Sequence, residues 1–122
     1  MAKPIDVDVW VRGENDARTV PATGVSADPS SWTDADVKAL LTEMLQALDR
    51  AGNPRSEPAP VVLRGFSWIV SPFEGGGYTV AVEIQLGAAA AGPFDVDQRE
   101  LESTITRVLA EDRLPPRQAV VH

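Results

Sequence analysis

Gly75, Gly76 and Gly77 in the stretch SPFEGGGY are the residues that come nearest to a phosphate cradle. A P-loop places such glycines between a strand and a helix, with Lys and Ser/Thr following, because backbone N–H groups and an ammonium must surround the phosphate together. Here no Lys follows, and the next segment, YTVAVEIQL, has the period of a strand. A dinucleotide fingerprint also needs a helix start and an acid further on. The loop therefore reads as a hairpin turn, in which glycine supplies positive φ without steric cost.

Asp6 and Asp8 stand two apart on one strand face. Paired carboxylates can hold a hard cation or share acid–base work, but both tasks need a third group or a pocket. The sequence offers neither, so they read as solvated positions facing Arg12 or Arg64. Asp34, Asp36, Asp95 and Asp97 cluster where helices begin, which capping and the helix dipole explain. No EF-hand spacing occurs, and no metal site is expected.

The single histidine is His122, the last residue, and there are no cysteines. Thiolate nucleophiles, disulfides and Cys-based zinc sites are excluded, and a lone terminal His builds no triad or multi-His site. Ser and Thr are plentiful, but no GxSxG elbow appears. The chain reads as leaning away from catalysis, with no catalytic residue and no cofactor expected.

These residues must be positioned by a chain of 122 residues with 43% hydrophobic and 24% charged content. That supports one domain over 1–122 with a real apolar core. The formal charge of −7 would repel a phosphate backbone, so nucleic acid is not an expected partner. No apolar run approaches a membrane span, and MAKPIDVDVW has no signal core, so a cytoplasmic protein without membrane contact is expected. Nine of the eleven cations are Arg; with the Ala and Pro usage, this hints at a GC-rich bacterial genome.

IDVDVWVR alternates as a half-buried strand with Ile5, Val7, Val9 and Val11 on one face. Residues 13–31 read as a long loop with room for a short edge strand near Arg18 to Val20. The clearest element is a helix within SWTDADVKALLTEMLQALDRAGNP. Thr33 and Asp36 fit a capping box, Trp32 and Val37 a hydrophobic staple. Leu40, Leu41, Met44, Leu45 and Leu48 form its stripe, Gly52 a left-handed stop, and Pro54 a block to continuation.

Residues 61–71 read as a strand apolar on both faces, and residues 78–86 as an alternating strand. GAAAAGP reads as a small-residue connector. A second helix starts at Asp97, with Leu101, Ile105, Val108 and Leu109 as its stripe. Residues 115–122 read as a tail or a short final strand.

The order β-α-β-β-α-(β) gives an α+β fold of the ferredoxin-like, split βαβ kind. Two helices would cover one face of an antiparallel sheet. Arg64 shares its side of the middle strand with Phe66 and Trp68, and an Arg under the helices would be costly to desolvate. That places Trp10, Phe66 and Trp68 on the open face beside Arg12, Arg64 and Glu83. Aromatics with Arg compose protein interfaces. The expectation is a binding module that assembles with itself or docks on another protein. Two alternatives stand beside it: the 17–31 loop covers the aromatics, or the same fold forms a small-ligand sensor or enzyme with its pocket beneath that loop. The RNA-stacking reading lacks the basic residues it needs.

Overall fold

A computed structural model describes residues 5–22, 32–52 and 66–113. Two strands, β1 (Ile5–Val11) and β2 (Arg18–Ala22), precede helix α1 (Asp34–Gly52). Strands β3 (Ser67–Pro72), β4 (Tyr78–Ile84) and β5 (Gly87–Phe94) follow, and helix α2 (Gln98–Arg113) comes last. The protein is α+β, with one fully antiparallel five-stranded sheet in the order β2-β1-β5-β4-β3.

The helices form where their caps and stripes coincide. Asp36 N–H donates to Thr33 Oγ1 at 3.3 Å and Thr33 N–H returns the bond to Asp36 Oδ2 at 2.9 Å, a reciprocal capping box made with the shorter acid. Glu100 N–H donates to Asp97 Oδ2 at 3.0 Å at the second helix start. Val37, Leu40, Leu41, Met44 and Leu48 of α1 and Leu101, Ile105, Val108 and Leu109 of α2 are buried against Val7, Val9, Val80, Val82, Ala89 and Ala91 of the sheet. α1 lies over β1 and β5, and α2 over β3.

Two expectations change and one is met. GAAAAGP is the central strand β5, so the order β-β-α-β-β-β-α departs from the split βαβ arrangement. Alanine has poor strand propensity, but tertiary packing decides here: Ala89 and Ala91 lie beneath α1, where small side chains let the helix approach the sheet closely. The short strand near Arg18 runs to Ala22 and forms one edge of the sheet. Gly52 has no left-handed backbone; it is the last residue of α1, and a Cβ there would collide with the Leu86 side chain. Residues 115–122 and 61–65 lie outside the described residues.

The hairpin reading of the glycine run holds. Phe73 N–H donates to Gly77 O and Gly76 N–H to Phe73 O, both at 2.9 Å, closing the β3–β4 connection. Gly76 and Gly77 take φ of 108° and 79°. The β4–β5 link is tight: Ile84 pairs with Gly87 across the turn at Gln85 and Leu86. Gly87 also lies opposite Val11 of neighbouring β1, and a Cβ there would run into the Trp10 carbonyl oxygen. This close approach fixes the β1–β5 register that carries Trp10.

Candidate functional site: the open sheet face

The helix-covered side of each strand is set by alternation. Ile5, Val7 and Val9 point in, so Asp6, Asp8 and Trp10 point out. Cross-strand register then aligns three rows on the uncovered face. One runs from Thr19 through Asp8, Ala90 and Ala81 to Ile69. The next joins Trp10, Ala88, Glu83 and Ser67. The third includes Pro21 with Asp6 on β1 and β2, and Thr79 with Ser71 on β3 and β4.

Trp10 is 44% exposed and Ile69 57% exposed. They stand on β1 and β3, three strand spacings or about 14 Å apart. Ala88, Ala90 and Ala81 form the floor between them. Asp6, Asp8 and Glu83 are exposed around it. Asp8 accepts a hydrogen bond from Thr19 Oγ1 at 2.8 Å across the edge pair.

Of the residues expected here, Trp10 and Glu83 lie on this face. Arg12 follows β1 at its rim, where its Nε donates to Gln85 O at 2.8 Å. Phe66 and Trp68 do not lie there. Trp68 pairs with buried Val82, and both rings are half-buried against the core. Their expected placement is corrected: the phase of β3 follows from its pairing with β4, which puts Val70 opposite Val80, inside. Ser67 and Ser71 already mark the open side of β3 and Trp68 with Val70 the covered side, but the desolvation argument from Arg64 outweighed that alternation and chose the wrong phase. Arg64 lies outside the described residues.

The correction brings in Ile69, which sequence reasoning missed. Its signal was the valine alternation of the next strand: once Val80 and Val82 are inward, antiparallel pairing makes Ile69 outward. The alanine floor was hidden for another reason, because β5 was read as a connector.

The edges of the sheet are less inviting than its face. The edge strands carry Pro21 and Pro72, which cannot donate to a docking strand. Gln98 Nε2 donates to Val70 O at 3.1 Å and so occupies an acceptor of edge strand β3.

A separate cleft of about 710 Å³ opens between the helix starts, lined among others by Trp32, Val37, Val96, Arg99 and Arg107. Trp32 meets Phe94 edge-on, with ring centroids 4.8 Å apart. Arg107 grips Asp34 with two parallel bonds, Nε to Oδ2 at 2.7 Å and a terminal nitrogen to Oδ1 at 2.6 Å. This hydrogen bonding, with the attraction of the guanidinium, holds the Asp34 carboxyl below its ordinary value of 3.8, and the same partner raises the Arg107 guanidinium. Among the described residues no polar or charged residue is buried, and no cluster of three or more His, Cys, Asp or Glu could hold a metal ion. No helix among them is long and apolar enough to cross a membrane.

Comparison with known protein families, with curated proteins and with solved structures finds no match.

Proposed function

We propose that this chain is a cytoplasmic, non-catalytic binding module that works by docking its open sheet face on another protein surface. One observation carries the reading: Trp10 and Ile69 stand 44% and 57% exposed on the same face, on either side of a floor of alanines. The half-exposed alanines between them make the apolar surface continuous, and a contiguous exposed apolar patch marks an interaction site. Tryptophan is also among the side chains enriched at the energetic centres of protein interfaces. The acids around the pair supply the polar rim that such contacts have.

Catalysis is less well supported. General acids, bases and nucleophiles work in enclosed settings that shift their ionisation. The cleft at the helix starts falls in the size range of small-ligand sites, about 300–1,000 Å³. Its Arg107, however, is already matched by Asp34 in a bidentate pair.

The test is native mass spectrometry of the protein purified from its host, beside Trp10→Ser and Ile69→Ser. The expected result is a complex with the unaltered chain that both variants lose while keeping their melting temperature. A complex that survives both substitutions overturns the reading. A cleft-based small-ligand function would instead show ligand-induced thermal stabilisation that both variants retain.

A further inference from the structure

Resting on that reading, we infer that the occupant of the open face is a basic amphipathic helix of a protein partner, and not a second copy of this chain. Charge decides between the two. Asp6, Asp8 and Glu83 are exposed beside the Trp10 and Ile69 side chains. Arg12 at the rim keeps its charge while its Nε donates to the Gln85 carbonyl, and Arg18 pairs with Glu14 at 3.5 Å, so three carboxylates stand against one uncompensated cation. The face is therefore acidic around an apolar centre.

A two-fold dimer would set this face against itself, because such contacts use the same patch on both copies. Three exposed carboxylates would meet three more, between chains that each carry −7. Like charges brought together across an interface act against association. A partner bearing Lys and Arg around an apolar stripe reverses every one of those signs.

Shape favours a helix over a strand. Trp10 and Ile69 flank a floor of Ala88, Ala90 and Ala81, and the strands bearing them are about 14 Å apart. A helix with its side chains is about 10–12 Å across. Laid along β5 and β4, it would put its apolar stripe on the alanines and its flanks against Trp10 and Ile69. Strand addition has poorer prospects, since the edge strands carry Pro21 and Pro72 and Gln98 covers the Val70 carbonyl.

The probe is a helical peptide of leucine, alanine and lysine with its lysines along one flank of the apolar stripe. A matched peptide carries glutamate in place of every lysine. Binding is read by the NMR shift of the Trp10 indole N–H and by titration at low and higher salt. The lysine peptide should bind, move the Trp10 resonance and weaken as salt rises; the glutamate peptide should not bind. Trp10→Ser should abolish binding. The double variant Asp6→Asn with Glu83→Gln should weaken it about fivefold, the order expected for losing two exposed charge pairs. Circular dichroism of each variant shows that the fold persists.

The inference is overturned if the lysine peptide does not bind, if both peptides bind alike, or if the protein alone dimerises through Trp10 in dilute salt, where its carboxylates are unscreened. Should Trp10→Ser weaken binding while the double variant does not, the face stands and the basic partner falls. Should neither change matter, the face falls as well.

Discussion

At the scale of single residues, two of the three tryptophans, Trp10 and Trp68, occupy opposite sides of one sheet. Trp10 projects from β1 away from the helices, while Trp68 pairs with Val82 and packs on the core. Truncating them should separate stability from binding. Trp68→Ala removes a half-buried ring and should cost about 2–3 kcal/mol in chemical denaturation, below the roughly 3–5 of a fully buried aromatic. Trp10→Ala should stay within about 0.5 kcal/mol of the parent, as exposed positions do. Equal losses would place both rings in the core and remove the docking face. The first strand disclosed Trp10 because its valines alternate with polar residues. The third carries a weaker alternation, with Ser67 and Ser71 either side of Ile69 on the open face and Trp68 and Val70 on the other, and Ile69 breaks the polar series that would have marked the face. Ile69 was illegible for the same reason that Trp68 was misplaced.

At the scale of elements, the helices were legible and the central strand was not. Helix signals are local. Thr33 with Asp36 and Asp97 with Glu100 make their caps within four residues, and the leucine stripes repeat within one segment. Strand β5 depends on partners far away in sequence, so GAAAAGP carried only the look of a linker. Beyond their shared core, the helices are linked by the Asp34–Arg107 pair, from the first residue of α1 to the middle of α2. Asp34 also sits where the helix dipole favours a negative charge. Its folded-state carboxyl titrates below the ordinary value of 3.8. The stability it contributes is therefore fully present above that value and is lost as pH falls through the depressed one. Asp34→Asn should melt at a lower temperature than the parent at neutral pH. The difference should shrink once the pH drops below 3.8, as the parent's own carboxyl takes up its proton. A gap that is unchanged in acid would mean that the guanidinium contributes nothing through charge.

At the scale of the whole molecule, net charge and the exposed apolar pair pull in opposite directions. A chain at −7 repels its own copies, while Trp10 and Ile69 favour burial against any apolar surface. Salt separates the two effects, because it screens exposed charges with a Debye length of about 10 Å at 0.1 M and leaves apolar burial almost untouched. The protein alone should sediment as a monomer in dilute salt. Any self-association should increase as salt is added, and Trp10→Ser should abolish that increase. Docking on a basic partner should show the reverse dependence, tightest in dilute salt. Two opposite salt slopes that share one tryptophan would tie both behaviours to the same face. Self-association that weakens with added salt would instead require complementary charges between copies, and the acidic rim of Asp6, Asp8 and Glu83 does not supply them within that face. Sedimentation velocity over a salt series thus tests which kind of surface the sheet presents before any natural partner is known.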